Sequence, residues 1–258
     1  MKTFFKPKKR LGQNFLLNNE ILEKITSLIN IEGEEIVEIG PGKGNLTKFI
    51  LKKKPSKLFL IEKDITLKPY ISKVIKNHQE KVILLIDDAL TISINNLSKK
   101  KIIIMANLPY NIATTLILNW LLCINSIKSM ILMVQKEVAL RLSAVEKTKN
   151  YGRISVLTQV LANVDIKFDV KPENFYPKPK VDSSVIEITP KKKVKFNYHK
   201  LNKTLTISFS HKRKTLKNNL SKLSKDIESK ISECGINPSL RPEEIKPHEF
   251  VKLSENLF

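Results

Sequence analysis

Short apolar runs alternate with amphipathic segments over the first half of the chain. The runs are rich in Ile, Val and Leu and lack a two-residue alternation, which is typical of strands buried on both faces of a parallel sheet. In chain order they are "EEIVEIG", "KLFLIEKD", "KVILLIDDA", "KIIIMANLP" and "SMILMVQKE". Helical spacing of apolar residues marks "NNEILEKITSLI", "NLTKFILKKK", "ITLKPYISKVIKN" and "ATTLILNWLLC". This order predicts a doubly wound α/β domain.

The pattern changes in the last third of the chain. The stretch "VDIKFDVKPENFYPKPKVDSSVIEITP" holds two strand-like pieces around a Pro-rich loop, and it predicts an antiparallel edge of the same sheet. From about Lys191 the pattern is that of short basic helices such as "NYHKLNKTLTISF" and "KRKTLKNNLSKLS". We therefore predict one domain over residues 1–190 and a small helical domain over residues 191–258.

The charge of the chain is strongly positive. Its 46 Lys and Arg against 25 Asp and Glu give a net charge of +21. A basic excess of this size favours a polyanionic partner, either nucleic acid or an anionic membrane surface. Because the first twelve residues and the stretch 188–225 hold no acid, the excess is more than uniform bias, and it favours nucleic acid.

Several classes of protein do not fit the sequence. No apolar run reaches the ~18 residues of a membrane span, and no apolar stretch follows the basic N-terminus, so we predict no signal peptide. Cys123 and Cys234 match no metal-binding spacing, and we expect buried thiols in a reducing cytoplasm. We expect no metal site.

A glycine-rich segment follows the first strand. Gly40, Gly42 and Gly44 are spaced G-x-G-x-G, which allows a backbone to approach a ligand closely at a helix N-terminus. The third glycine comes one residue too early for a dinucleotide fingerprint. Glu38 precedes the loop, and an acid there suits a cofactor with an amino-acid end, such as S-adenosylmethionine (SAM).

Two further acids follow the next two strands. Glu62 lies 22 residues after Gly40, where a carboxylate can accept both hydroxyls of a ribose. Asp88 ends the third strand, where it could accept from the amino group of the cofactor's adenine. Either acid could instead cap a helix. Ligand-type groups at successive strand ends nevertheless fit the crevice rule for open α/β sheets.

The fourth strand ends in the tetrapeptide "NLPY". The amino group of adenine is a poor nucleophile, and the Asn107 side-chain carbonyl and the Leu108 main-chain carbonyl could accept from it and free its lone pair. Pro109 fixes the backbone and lacks an N–H, and Tyr110 could stack on a flipped base. The plainer interpretation is a strand-to-helix loop that happens to hold these residues.

From end to end the chain resembles ribosomal RNA adenine methyltransferases of the type that dimethylates small-subunit RNA. The resemblance rests on nine motifs in the family's order: "KKRLGQNFL", "VEIGPGKGNLT", "IEKD", "DDAL", "NLPYNIAT", "QKEVALRL", "YGRISVLTQ", "FYPKPKVDSSV" and "FSHKRKTLKNNL". It implies a Rossmann-like SAM-dependent methyltransferase sheet with a small C-terminal α-helical domain. It also implies a substrate: two adjacent adenines in a hairpin loop near the 3′ end of the RNA, within an immature small subunit.

The resemblance also assigns roles to residues. Residues 1–17 are expected to form a basic arm over the cofactor. The implied cofactor contacts are Asn14, Leu16, Gly40, Glu62, Asp88 and Asn107, and the implied catalytic residues are Asn107, Leu108, Pro109, Tyr110 and Phe175. Phe175 is expected to stack on the base opposite Tyr110. The expected RNA-binding residues are Lys8, Lys9, Arg10, Lys212, Arg213, Lys214 and Lys217.

Two other functions compete with this one. An enzyme of the erythromycin-resistance type shares the fold and chemistry but methylates large-subunit RNA, and the basic helical tail argues against it. A non-catalytic ribosome-assembly or transcription factor on the same scaffold is the other, and the intact "NLPY" argues against it. We expect a cytoplasmic monomer. A nucleotide-dependent dehydrogenase is disfavoured by the glycine spacing.

Overall fold

The computed structural model describes residues 6–191 and 195–258, with the side chain of Lys9 left out. Its strands are β1 (Phe15–Leu16), β2 (Glu35–Ile39), β3 (Lys57–Glu62), β4 (Val82–Ile86), β5 (Ile102–Asn107), β6 (Ile127–Gln135), β7 (Ala162–Val170), β8 (Phe175–Tyr176) and β9 (Ser183–Pro190). Its helices are α1 (Asn19–Thr26), α2 (Asn45–Lys52), α3 (Lys68–Ile75), α4 (Ala113–Leu122), α5 (Lys136–Leu142), α6 (Arg153–Leu161), α7 (Tyr198–Ser208), α8 (Leu216–Leu220), α9 (Ile227–Glu233) and α10 (Pro247–Leu257).

Seven strands form the central sheet in the order β4-β3-β2-β5-β6-β9-β7. The pairings among β4, β3, β2, β5 and β6 are all parallel, and β9 runs antiparallel to β6. The expected α/β fold and its antiparallel addition are therefore confirmed. Because the strands that begin at Glu35, Lys57, Val82 and Ile102 are parallel, their carboxyl ends lie at one edge of the sheet.

Burial follows the position of each strand in the sheet. The central strand β5 is buried from Ile102 to Ala106, as its uninterrupted apolar run predicts. The run in β4 looks equally apolar, but Ile83 is 37% exposed. The reason is that β4 is an edge strand, a property that its own sequence does not encode.

The chain divides into two compact units. The first comprises Met1–Ala139 and Asp165–Pro190, and it contains the parallel part of the sheet. The second comprises Leu140–Val164 and Lys191–Phe258. Its last segment begins at the boundary expected near residue 190, and residues 140–164, which the sequence assigned to the first domain, group with it.

The second unit is helical in its C-terminal part. Helix α7 matches the expected basic helix, and Asn197 caps it by accepting from the amides of His199 and Lys200. The segment "KRKTLKNNLSKLS" is helical only over α8, because Thr215 caps a helix that starts at Leu216. Lys212–Lys214 consequently lie in the turn before α8, a correction to the helix expected there.

Candidate active site

A cleft lies at the carboxyl edge of the parallel strands. It is lined chiefly by residues 10–16, 38–42, 61–63, 87–90 and 107–109. These are the residues that follow β2, β3, β4 and β5, together with the N-terminal segment. The structure therefore brings Gly40, Glu62, Asp88 and Asn107, which are separated in the sequence, to one site.

The glycine segment is shaped by close packing as well as by backbone angles. Gly42 has a φ of +61°, in the left-handed region. A Cβ atom on Gly42 would lie 2.7 Å from the ring of Phe15, which a side chain could not tolerate. Helix α2 begins directly after Gly44, so its free N–H groups point into the region of this loop.

Glu62 holds the glycine loop from the end of β3. Its Oε2 accepts from the amide of Gly42 at 3.1 Å, and its Oε1 accepts from the amide of Asp64 at 2.8 Å. The side chain is buried, and burial raises the pKa of this carboxyl above its usual value, against the lowering effect of these amides. Since each carboxylate oxygen accepts two hydrogen bonds, both oxygens can still take a hydroxyl.

Glu38 is a second buried acid in the cleft. It is 1% exposed, and its Oε2 accepts from the hydroxyl of Thr47 at 2.7 Å. Burial raises the pKa of Glu38 to about 8. The carboxyl is therefore largely protonated at neutral pH until a cation lies beside it.

Asp88 lies two residues beyond the end of β4 and already has a cationic partner. Its Oδ2 accepts from Lys63 Nζ at 2.5 Å, and its Oδ1 accepts from the amide of Leu90 at 3.0 Å. The Lys63 hydrogen bond lowers the pKa of Asp88. Asp88 thus caps the following turn, as the alternative interpretation allowed, and it also lines the cleft.

The N-terminal segment contacts the "NLPY" loop directly. The carbonyl of Asn14 accepts from Asn107 Nδ2 at 2.7 Å. Leu16, in β1, is 3% exposed, and its carbonyl accepts from Asn45 Nδ2 at 2.8 Å. Asn14 and Leu16 therefore lie in the cleft wall, but the side chain of Leu16 packs in the apolar core.

The "NLPY" loop is held by one main-chain and one side-chain hydrogen bond. Asn107 is the last residue of β5, and the amide of buried Leu108 donates to the carbonyl of Met133 at 3.0 Å. The Tyr110 hydroxyl and Ser183 Oγ form a hydrogen bond of 2.6 Å, and burial raises the pKa of Tyr110. Tyr110 is half-buried.

Phe175 occupies a different environment from the one expected. It pairs with Leu16 between β8 and β1, is 4% exposed and packs in the core that includes Phe15. Its neighbour Tyr176 is 56% exposed. The motif "FYPKP" gives no signal for which of two adjacent aromatic rings is buried, so stacking of Phe175 on a base stays a prediction.

The expected RNA-binding residues divide into two groups. Arg10, Lys212, Arg213 and Lys214 are exposed. Lys8 donates to Asp64 Oδ1 at 2.6 Å, and Lys217 lies 3.2 Å from Glu228 Oε1, so both already have an acidic partner. The side chain of Lys9 lies outside the described part of the structure.

Three residues of the site escaped the sequence analysis: Gln13, Asp64 and Ser183. Asp64 follows Glu62 by two residues, in the "IEKD" motif, and this spacing was the only available signal.

Cys234 is buried as expected, whereas Cys123 is half-buried, and both are free thiols. Within residues 6–191 and 195–258 there is no group of three His, Cys, Asp or Glu that could hold a metal, and no helix able to cross a membrane.

Comparisons with known proteins agree with this geometry. A family model described as "Ribosomal RNA adenine dimethylase" matches residues 4–257. Ribosomal RNA small subunit methyltransferase A of Pelagibacter ubique is 41% identical over 97% of this chain and 96% of that protein. The protein of the same name from Ehrlichia ruminantium is 42% identical over 96% of each chain. A dimethyladenosine transferase structure from Plasmodium falciparum has a TM-score of 0.77 at 26% identity, covering 93% of this chain and 95% of that one.

Proposed function

The chain belongs to the ribosomal RNA adenine dimethylase family, and we propose from this premise how its cleft performs the reaction. It is a SAM-dependent rRNA adenine dimethyltransferase, and its substrate is small-subunit RNA. We propose as targets two adjacent adenines in a hairpin loop near the 3′ end. Such loops offer splayed bases, whereas an A-form duplex hides its base edges.

The residues of the cleft fit SAM. The two buried carboxyls, Glu38 and Glu62, match a ligand that brings a positive charge and two ribose hydroxyls. A Cβ atom on Gly40 would meet no atom within 4 Å, so this glycine leaves open space for the ligand beside the loop. SAM supplies a methyl group on a positively charged sulfur, which is electrophilic enough to need no strong general base at the target.

We assign the activation of the adenine to the "NLPY" loop. Asn107 Oδ1 and the Leu108 carbonyl would each accept a hydrogen bond from the amino group, which would leave its lone pair free to attack the methyl carbon. As the N–C bond formed, the bond between the methyl carbon and sulfur would break with its electron pair on sulfur, and the nitrogen would lose one proton to solvent. Tyr110 covers one face of the flipped base. After the first transfer one N–H remains for Asn107 or Leu108, so the same site can accept the monomethylated base again. We therefore propose that the site accelerates methyl transfer by positioning the base and by electrostatic stabilisation.

One observation carries this proposal: the hydrogen bond of 2.7 Å from Asn107 Nδ2 to the Asn14 carbonyl. It fixes the amide at the strand end that adjoins Glu62 and Asp88 in the same cleft. The exposed cations Arg10 and Lys212–Lys214 are proposed to hold phosphates of the RNA. We also propose that the protein acts as a monomer, and that it acts in the cytoplasm, where its ribosomal RNA substrate is found.

The experiment is methylation of ribosomal subunits that lack the modification. Small and large subunits are incubated separately with the protein and SAM, and the RNA is digested and analysed by mass spectrometry. We expect dimethyladenosine at two adjacent positions of the small-subunit RNA. Product only in the large subunit would favour the erythromycin-resistance type, and binding without product would favour an assembly factor.

A further inference from the structure

Asp64 is a buried acid whose role the methyl transfer above does not explain. Its side chain has no exposed surface, and it lies two residues after Glu62. Burying a carboxylate costs free energy unless charged or hydrogen-bonding groups compensate it. Here much of the compensation comes from residues 8–14, which belong to the N-terminal arm expected over residues 1–17. Below, the arm means residues 8–14.

Two arm residues bind the Asp64 carboxylate. Lys8 Nζ donates to Oδ1 at 2.6 Å, and Gln13 Nε2 donates to Oδ2 at 2.9 Å. Gln13 Oε1 also accepts from the amide of Lys8 at 2.8 Å, so its side chain closes the arm into a loop around Asp64. The hydroxyl of Thr66 also donates to Asp64 Oδ1, at 2.6 Å.

The protonation state of Asp64 agrees with this arrangement. Burial alone would raise its pKa, but the hydrogen bonds from Lys8, Thr66 and Gln13 outweigh that effect and lower the pKa to about 2. Asp64 is therefore ionised at neutral pH, and its bonds to the arm are charge-assisted.

The arm continues from Asp64 to the catalytic loop. Asn14, next to Gln13, accepts from Asn107 Nδ2 through its carbonyl. Gly12 packs so closely against this loop that a Cβ there would lie 2.8 Å from Asn111 Oδ1. A shift of the arm would therefore move the acceptor that orients Asn107.

Asp64 also contacts the cofactor side of the cleft. Its amide donates to Glu62 Oε1 at 2.8 Å, and Glu62 Oε2 accepts from the amide of Gly42. The same residue thus connects the arm to the acid that holds the glycine loop.

We propose that Asp64 is a positioning residue, which fixes the arm so that the Asn14 carbonyl orients the Asn107 amide for methyl transfer. The proposal rests on the proposed function, because it takes Asn107 as the partner of the target amine. Asp64 does not touch the reacting atoms. Its effect on methyl transfer is therefore measured as kcat at saturating SAM and RNA, because the arm also carries Arg10, whose displacement would weaken RNA binding as well.

The test compares Asp64→Asn, Gln13→Ala and the double variant. Gln13→Ala is the key variant, because it changes no charge that RNA could sense and Gln13 lies outside the seven-stranded sheet. We expect kcat at saturating SAM and RNA to fall about tenfold or more in each single variant, since each loses a charge-assisted hydrogen bond. The double variant should be little worse than Asp64→Asn, because both act through the arm. Glu80→Gln, an acid-to-amide change at an exposed turn, is the matched control.

Amide hydrogen exchange supplies the readout that a merely structural role would not give. We expect faster exchange over the arm in both single variants, with unchanged protection in β5 and β6. A Gln13→Ala variant with wild-type kcat and wild-type exchange over the arm would overturn the proposal. Loss of protection throughout the sheet in Asp64→Asn, together with unchanged kcat in Gln13→Ala, would also overturn it, because Asp64 would then act on the stability of the fold. If Asp64→Asn does not fold, Gln13→Ala decides alone. The exchange measurement needs no RNA, so it still decides if the wild-type protein fails to methylate small-subunit RNA.

Discussion

Asn107 donates a hydrogen bond of 2.7 Å from its side-chain nitrogen to the main-chain carbonyl of Asn14. A side-chain amide anchored through its nitrogen presents its oxygen on the other side, where that oxygen is available as an acceptor. The arrangement connects the N-terminal arm, the end of β5 and the chemistry of the target amine. It also means that the side chain proposed to accept from the target amine is oriented before any substrate binds, which is the condition for electrostatic catalysis.

Replacement of Glu62 should weaken cofactor binding. Glu62→Ala removes the charged acceptor of the ribose hydroxyls and also releases the amide of Gly42. We expect a loss of about 1.5–3 kcal/mol in the binding free energy of S-adenosylhomocysteine, measured by calorimetry. Glu62→Gln keeps one acceptor oxygen and should lose less. Unchanged affinity in Glu62→Ala would rule out this residue as the ribose acceptor.

Cofactor binding should release a proton from Glu38. The folded pKa of about 8 exceeds the ordinary value of 4.5, so the carboxyl is protonated at pH 6.5 in the free protein. A cationic ligand beside it favours the carboxylate and expels the proton. Calorimetry of SAM binding at pH 6.5, in buffers of different ionisation enthalpy, should therefore give buffer-dependent heats that Glu38→Gln abolishes. Heats independent of the buffer in the wild type would contradict this interpretation.

The same raised pKa makes a prediction for stability. Between pH 4.5 and about 8 the Glu38 carboxyl is ionised in the unfolded chain but protonated in the folded protein. The free energy of unfolding should therefore fall as the pH rises through this range. In urea unfolding without cofactor, Glu38→Gln should remove part of the fall in stability across this window. A wild-type curve with no fall between these values would show that Glu38 is ionised in the free protein.

The basic turn before α8 should contribute to RNA affinity. Replacing Lys212, Arg213 and Lys214 with Ala removes three exposed cations, so we expect weaker binding of RNA. The slope of log affinity against log salt concentration should also become shallower, by about one for each phosphate that is no longer neutralised. Affinity for SAM should not change. Lys99, Lys100 and Lys101 are the matched control, because these exposed lysines precede β5 and do not line the cleft. Equal salt slopes in the test variant and the wild type would show that RNA binds at another surface.

Tyr110 should act through its ring rather than its hydroxyl. Tyr110→Phe loses only the hydrogen bond to Ser183, and we expect methyl transfer close to the wild-type rate. Tyr110→Ala loses a stack worth about 1–3 kcal/mol per base and should raise KM for RNA more than it lowers kcat. A Phe variant as impaired as the Ala variant would show that the hydroxyl, not the ring, matters.

The sequence predicts most of the fold because the apolar patterns of strands and helices and the spacing of glycines are local properties. The strand that ends at Asn107 and the glycine turn at Gly42 lie where the apolar runs and the G-x-G spacing indicate. The edge position of Ile83 depends on strand order, and the burial of Phe175 depends on pairing with β1, so neither is encoded locally. Asp64 escaped notice for the same reason, since its partners Lys8 and Gln13 are more than fifty residues away.

The most direct test of the account is the methylation rate of Asn107→Ala, followed as incorporation from labelled SAM into under-methylated small subunits. Binding of S-adenosylhomocysteine and of RNA is measured on the same preparation to establish that the variant is folded. Asn96→Ala, in an exposed turn before β5, is the matched control.

Loss of one preorganised hydrogen-bond partner at a reacting centre commonly costs ~10²–10³ in rate. The account therefore predicts a fall of that size in both monomethyladenosine and dimethyladenosine, with binding retained. A near wild-type rate in Asn107→Ala would contradict it and leave "NLPY" as a loop that only connects a strand to a helix.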